Sequence, residues 1–512
     1  MIESKSVAGD KAFNWKEQFP EVFEKGGFDV IIGNPPYVRQ ELFKEIKPYL
    51  EKNYKCYNSV ADLYTYFIEL GIRLINEEGK FSFILPNKFL KSAYGKEIRS
   101  VIRNDSNLEL LFDFDDYPVF DDATTYPIIY ILNRQKEYKD DYFIYSEINN
   151  RLVNRNPIES LENKQIKVPY LSLTDDMWNF INNDSLKLID KLSEKSISLN
   201  SLVNKKIYRG LTTGKNEAFV IDEIKKDELI RKNIKNSELI KVLATGKEVK
   251  RNTFNFQNKF LLFTGFDNDI PSNYPDIQEE LDRFKDDLIK RYDQGVNYWN
   301  LRACAYYNEM QLPKIIYPRI NNQCNFYLDS KGEVFLLDNN FFISSDSKGL
   351  LALLNSKLVY YYLKNVCTTL QGGFYDFRRD KISTIPISAK FSDYEDRLGD
   401  LSETLINLTE NFNSSIQRFQ RTIQRKFNLE DLPKKLQDWY LLTYAEFIKE
   451  LAKKRVKLSL SEEAEWEDYF ETESKKAQDL KAQIDKTDKE IDQMVYELYG
   501  LSEEEIGIVE NS

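Results

Sequence analysis

Hydrophobic positions change their period along the chain, and the changes mark out its elements. Residues 28–32, Phe-Asp-Val-Ile-Ile, form an apolar run of strand length. From 62 to 75 the apolar residues Leu63, Phe67, Leu70 and Leu74 recur at helical spacing, and 80–86, Lys-Phe-Ser-Phe-Ile-Leu-Pro, reads as a strand. A helix through Ile98 and Ile102 follows, then strands near 110–114 and 127–132. Alternation of this kind predicts an α/β domain over 1–138, a partial Rossmann-like sheet comprising the second half of a doubly wound fold with a β-rich edge. A polar stretch around 136–167 interrupts it. Beyond, the βα regularity is lost, and aromatics and asparagines gather around turns such as Gln371-Gly372-Gly373-Phe374, which predicts an irregular α+β domain over 139–390. Residues 391–512 turn helical and charged. Leu480, Ile484, Thr487, Ile491 and Met494 step 4-3-4-3, the seam of a packed helical hairpin or of a coiled coil.

Composition narrows the chemistry. At 512 residues with 42% hydrophobic content, the chain is long enough for two or three cores. It has four cysteines, Cys56, Cys304, Cys324 and Cys367, with no CxxC pair, and no histidine. A disulfide framework and a Cys/His zinc site are not expected, and no metal is. Ser-His and Cys-His nucleophiles and histidine general bases are excluded outright. The sequence shows neither a charged-then-apolar leader nor an apolar run near 18 residues. A cytoplasmic protein without membrane contact is therefore expected. The net charge of -11 conceals an asymmetry. Residues 201–260 hold 14 Lys/Arg against 7 Asp/Glu, a balance of +7, whereas 462–512 hold 5 against 17, a balance of -12. The basic segment is a candidate for meeting phosphates, and solvated surface is its competing reading.

Asn34-Pro35-Pro36-Tyr37 follows the apolar strand directly, at a carboxyl strand end, where open α/β sheets bind ligands. These residues suit methylation of an exocyclic amine. The lone pair of adenine N6 is delocalised into the ring until both amine hydrogens are drawn away. The Asn34 side-chain oxygen and the Pro35 carbonyl are the two acceptors on offer. Pro35 and Pro36 stiffen the loop and remove competing N–H donors. Tyr37 offers a π-face to a base that has left the duplex. Taken as four residues alone, an ordinary strand-ending turn is the competing reading.

The surrounding segments resemble motifs IV to VIII of the gamma-class adenine methyltransferases, particularly the type IIG, Eco57I-like, restriction-modification enzymes. Phe28-Asp-Val-Ile-Ile-Gly-Asn-Pro-Pro-Tyr-Val38 is similar to motif IV, and Asp62-Leu-Tyr-Thr-Tyr-Phe67 to motif V. Gly79-Lys-Phe-Ser-Phe-Ile-Leu-Pro-Asn-Lys-Phe89 is similar to motifs VI and VII. Asp115-Asp-Tyr-Pro-Val-Phe120, with Ala123 and Pro127-Ile-Ile-Tyr130, resembles motif VIII. The resemblance implies S-adenosylmethionine as methyl donor and places Phe120 opposite Tyr37 across a flipped adenine. Read without the family, Phe120 is a core residue. Tyr208-Arg-Gly-Leu-Thr-Thr-Gly-Lys-Asn-Glu-Ala-Phe219 resembles the opening of the family's target-recognition domain. Segments at 300–304, 313–319 and 354–358 and the tail at 491–500 resemble its later parts.

On the residues themselves, the 209–216 loop mixes the donors Arg209, Lys215 and Asn216 with glycines that let a backbone approach a phosphate. Tyr317, Arg319, Asn321, Asn322 and Gln323 are of types that read base edges, each with a structural role as its alternative. Double-stranded DNA is the expected partner. No two of the 19 glycines make a GxG, and 33 residues precede Asn34. The expectation is accordingly that the S-adenosylmethionine-binding half comes from another segment or a separate chain. The family's nuclease has no counterpart, and pairing Pro275-Asp276 with Asp329-Ser330-Lys331 looks like chance. A non-catalytic DNA-binding specificity protein, or a truncated remnant, is the alternative to a site-specific N6-adenine methyltransferase.

Overall fold

The computed structural model describes residues 8–114, 117, 119–120, 126–134, 142–147, 165–175, 178, 180, 183–265, 268–292, 295–370 and 373–511. Asp115, Asp116, Pro118 and Ala123 of the motif VIII segment lie outside them, as do Gln371, Gly372 and most of the polar stretch after residue 134. The chain forms two compact units, one over 1–189 with 368–373 and one over 190–367 with 374–512.

In the first unit β1 (Phe28–Gly33) leads to α1 (Tyr64–Leu74), β2 (Ile75–Pro86), α2 (Lys96–Asp105), β3 (Asn107–Asp113) and β4 (Pro127–Asn133). The elements read from the hydrophobic period are all there. Then β5 (Tyr142–Glu147) and β6 (Ile166–Pro169) extend the same sheet, whose order is β1-β2-β4-β3-β5-β6. The unit thus runs on past the expected border at 138, because Phe143, Tyr145 and Val168 are buried strand residues flanked by polar sequence that hides them from a window average. β1 lies parallel to β2, β4 antiparallel to both β2 and β3, and β5 parallel to β3. It follows that β1, β2 and β3 run in one direction and end at one edge.

Helix α2 buries Ile98, Val101 and Ile102, spaced three and four residues apart as one face of a helix requires. Its Arg99 is also buried, and Nη1 donates to the carbonyls of Phe89 and Ser92 while Nη2 donates to Asp175 O at 3.1 Å. These carbonyls accept from both terminal nitrogens of a guanidinium that burial has taken out of water.

The second unit holds two four-stranded sheets. One is formed by β8 (Val220–Asp222), β9 (Ile240–Ala244), β10 (Lys259–Leu262) and β13 (Val334–Leu336), in the order β13-β9-β10-β8. The other is formed by β7 (Ile207–Arg209), β11 (Lys314–Pro318), β12 (Tyr327–Asp329) and β14 (Asn340–Ile343), in the order β12-β11-β14-β7. Lys314 and Asp329 make a buried ion pair at 2.6 Å, and the Asp329 carboxylate also accepts the backbone N–H groups of Gly332, Glu333 and Val334. Asp329 is thus engaged in holding a turn.

The long helices α3 (Phe391–Phe427) and α4 (Leu460–Tyr499) pack on each other as a hairpin, and the seam residues Thr487 and Ile491 are buried. Phe419 stacks on Trp439 at 3.7 Å between ring centroids, within an aromatic cluster that includes Phe447, Trp466 and Phe470. Farther along α4 the seam carries acid. Arg251 grips Asp488 through two bonds of 2.7 and 2.9 Å, and Asp492 accepts the Lys357 N–H at 2.9 Å. Burial pushes the Asp492 carboxyl up to about 6, against the pull of that N–H and of Arg251.

A carboxyl raised in the fold favours the protonated folded state, so the stability it contributes is present below the ordinary carboxyl range and is lost as pH rises from about 4 to 6. Asp492→Asn keeps an acceptor for Lys357 and removes the charge. Thermal melts from pH 4 to 8 are expected to show the variant gaining up to ~3 kcal/mol at neutral pH, with no gain near pH 4. Equal stability of both proteins at pH 7 would contradict this.

Candidate active site and nucleic-acid interface

The shared edge of β1, β2 and β3 collects the chemistry of the first unit. Gly33 pairs with Phe83, so Asn34 begins where β1 leaves the sheet. Asn34 and Pro36 are exposed and Pro35 is buried, which anchors the loop at one proline and presents the residues on either side. No hydrogen bond from the described residues engages the Asn34 amide. Tyr37 is half-buried; its hydroxyl donates to Ile84 O at 3.1 Å and its ring meets Tyr64 edge-on at 6.4 Å. Burial pushes this phenol up to about 12, so it stays a neutral donor. The ring is thereby fixed to β2 rather than left to swing.

Two residues without an assigned role complete the edge. Asn87, just past β2, donates through Nδ2 to both oxygens of Asp113 at 3.2 Å, and its N–H donates to Tyr126 O at 2.8 Å. Phe114 N–H donates to Pro127 O at 3.0 Å. These bonds join the carboxyl ends of β2 and β3 to the start of β4. Asn87 lies in a sequence segment of the right family pattern, but nothing in one dimension pairs it with Asp113, 26 positions away. Phe120 is half-buried between β3 and β4, apart from the small cluster of Phe112, Phe114, Tyr117 and Val119. Among the described residues no ring contact joins it to Tyr37.

In the second unit the charge count of the sequence is largely cancelled in space. Lys215 pairs with Asp287 at 2.8 Å, Arg209 with Asp338 at 3.0 Å, Lys225 with Glu228 and Glu280, and Lys232 with Glu279. Most of these carboxylates lie outside the 201–260 window, which is why the window looked basic. Pairs this exposed are screened by water and hold their side chains only weakly.

The 209–216 loop departs from its expected design. A Cβ on Gly210 would sit 2.1 Å from Leu337 O, so that glycine serves backbone packing inside the protein and not approach to a phosphate. Gly214 has φ +75 and lies against the Arg291 side chain, a left-handed position that favours glycine. Asn216 accepts the Thr213 hydroxyl at 2.6 Å, which spends its carbonyl oxygen on the turn.

The 317–323 group divides. Tyr317 is fully buried and stacks on Phe341, and Asn321 is buried with its amide on Pro318 O, so neither reads a base. Arg319 is held by Asp376 through two bonds of 2.8 and 2.9 Å. Asn322 and Gln323 remain exposed. The strand period of 314–318 puts Tyr317 in a run that is buried throughout, a signal the sequence carried.

Residues 1–120 match the family described as Eco57I restriction-modification methylase, residues 241–387 the TaqI-like C-terminal specificity domain, and residues 392–495 a domain of unknown function. The chain is 25% identical to Type II methyltransferase M.BstVI of Geobacillus stearothermophilus over 386 residues, covering 70% of this chain and 66% of that protein. It is 30% identical to the restriction enzyme and methyltransferase RM.Eco57I of Escherichia coli over 207 residues, 39% of this chain and 20% of that one. To M.HindII of Haemophilus influenzae it is 24% identical over 75% of this chain and 80% of that protein. The chain thus spans just under two thirds of the first of these and a fifth of the second. Among solved structures, that of the type IIL restriction-modification enzyme MmeI in complex with DNA aligns at 14% identity and TM-score 0.49, covering 91% of this chain and 59% of that one. The resemblance to Eco57I-like restriction-modification enzymes read from the motifs is borne out, with a methylase region first and a specificity domain after it.

The place of Gly210 gives a direct check. Gly210→Ala is expected to destabilise the protein by about 2 kcal/mol or more in chemical denaturation, because the added methyl meets the Leu337 carbonyl. An unchanged denaturation midpoint would show that the loop is not locked there.

Proposed function

We propose that the chain is the adenine-binding and target-recognition portion of a site-specific N6-adenine DNA methyltransferase of a restriction-modification system. The observation that carries this reading is the Asn34 to Tyr37 loop. Its free amide and stiffened carbonyl stand at the carboxyl end of β1, beside a tyrosine ring fixed by its bond to Ile84 O. With an extrahelical adenine against Tyr37, the Asn34 oxygen and the Pro35 carbonyl accept the two N6 hydrogens. Electron density then gathers on nitrogen instead of spreading into the ring, and N6 becomes the nucleophile. Phe120 is the second face of the base slot, a role that rests on its resemblance to the family's motif VIII. Two of the similar proteins are named type II methyltransferases and one a type II restriction enzyme and methyltransferase, which supports the substrate class.

S-adenosylmethionine is the methyl donor on this reading. There is no GxG loop, and among the described residues β1 is paired on one side only. Val30 and Ile32, 66% and 81% exposed, share one face of β1. Parallel strands with such sequences are ordinarily covered on both faces and paired on both sides. A cofactor-binding half, from another segment or a separate chain, covers this strand and supplies the glycine loop. Double-stranded DNA is the partner of the specificity domain.

The test is reconstitution with a methyltransferase half that carries the glycine loop, followed by transfer of tritiated methyl to duplex DNA of mixed sequence. Radiolabelled N6-methyladenine is expected, and Asn34→Ala should lower transfer by about 10²-fold or more. Transfer that survives Asn34→Ala, or product on cytosine, overturns the reading. If duplex binding persists with no transfer under any pairing, a non-catalytic specificity protein is the reading that stands.

A further inference from the structure

The helical region carries a basic segment at the far end of its hairpin. Residues 418–457 hold 11 Lys/Arg against 5 Asp/Glu, a balance of +6, just before the acidic stretch that begins at 462. This segment runs from the last turns of α3 to the approach to α4 and includes the helix Tyr444–Lys453. Its backbone is a fixed platform. Leu436, Trp439, Phe447 and Leu451 are buried in the aromatic cluster around Phe419. The Tyr444 hydroxyl donates to Glu463 O at 2.7 Å and Gln420 Nε2 donates to Gln437 O at 2.8 Å, which fastens the segment to both long helices. At a rise of about 1.5 Å per residue, the start of α4 lies roughly 40 Å along that helix from the Asp488 bond to Arg251.

Cations outnumber the carboxylates open to them here. Both acids of the helix Tyr444–Lys453 are committed: Glu446 accepts the Thr443 N–H and hydroxyl at 2.9 and 3.0 Å in a capping box, and Glu450 is shared by Lys453 at 2.7 Å and Lys435 at 3.7 Å. Lys449, Lys454, Arg455 and Lys457 are exposed, and among the described residues none of these side chains makes an ion pair. Stability does not account for the arrangement. A helix dipole favours a cation in the last turn, but Lys449 and Lys453 stand one turn apart on the same face, where like charges repel. The chain leaves this helix through Arg455 at φ +64, a left-handed closing position, with Val456 N–H donating to Leu451 O at 3.2 Å. Glycine suits such a position best, and a cation stands there instead.

We propose that this end of the helical hairpin, through Lys449, Lys454, Arg455 and Lys457, is an interaction surface that holds the phosphate backbone of duplex DNA without reading its sequence. Point charges on flexible stems, set on a fixed platform, suit phosphates, which carry no base information. The proposal rests on the reading of the chain as a DNA-recognising protein. It gives a role to part of the region 392–495, which matches a domain of unknown function. A charge count begun at 462 passes over this surface, because the acidic first turn of α4 follows it directly.

The experiment is fluorescence anisotropy of the full 512-residue chain with labelled duplexes of several sequences over a salt series. One variant combines Lys454→Gln, Arg455→Gly and Lys457→Gln, and a second carries Lys449→Gln alone. Arg455→Gly removes the cation at a position that suits glycine, and Lys449→Gln exchanges one good helix former for another, so the fold is kept in both. The triple variant is expected to bind every duplex about tenfold or more weakly and to make the plot of log affinity against log salt shallower by about 2 to 3, and Lys449→Gln to make it shallower by about 1. Unchanged affinity and slope in both variants overturn the proposal while leaving DNA recognition in place. A loss confined to duplexes differing at one base pair overturns it in favour of base reading. If the unaltered chain binds vesicles of equal parts phosphatidylserine and phosphatidylcholine, and the triple variant loses that binding with its duplex affinity unchanged, the surface is one for acidic lipid and the proposal falls. If the unaltered chain binds no duplex at any salt, the DNA-recognition reading falls as well.

Discussion

Parallel pairing of β1 with β2 governs the first unit. With Val30 opposite Lys80 and Gly33 opposite Phe83, β2 runs three residues, 84–86, past the end of β1, and the antiparallel insertion of β4 returns β3 in the same direction. Three carboxyl ends therefore face one edge, which delivers Asn34, Asn87 and Asp113 from positions spread over 80 residues of chain. A one-residue slip of β1 would turn Ile31 outward and carry the Asn34 loop off the edge with it. The Asn87–Asp113 bonds and the Tyr37–Ile84 bond then hold the loops that the strands deliver.

A different principle organises the second unit: ion pairs, one buried and others partly buried, each fixing a turn or a seam. Lys314–Asp329 closes the β12 turn, Arg319–Asp376 clamps the end of β11, and Arg251–Asp488 ties the sheet region to α4. Such pairs are weak evidence of net stability, since each costs desolvation. Their effect is to specify geometry, and loss of one partner would strand a charge. The acidic tail acquires a purpose in this light. Part of its charge is internal counter-ion, as Asp488 is for Arg251 and Glu505 is for Lys191, so the -12 of that segment is not all solvated surface.

The same pairing reshapes the case for DNA contact. Arg209, Lys215 and Arg319, taken singly, are cations of a basic segment. In space each meets a carboxylate.

The sequence by itself determined the first unit's strands from β1 to β4 with the helices α1 and α2, the helical character of the tail and the Asn34 to Tyr37 loop, because each depends on a period or a motif within some dozen residues. Burial of Tyr317 was also within its reach, since 314–318 is a run without an outward face. Tertiary structure alone decided that β5 and β6 join the first sheet, that Gly210 packs under Leu337 and that Asn87 leans on Asp113. Each of these joins residues tens to more than a hundred positions apart, and hydrogen bonds and charges act over a few ångströms of space, which no pattern along the chain measures.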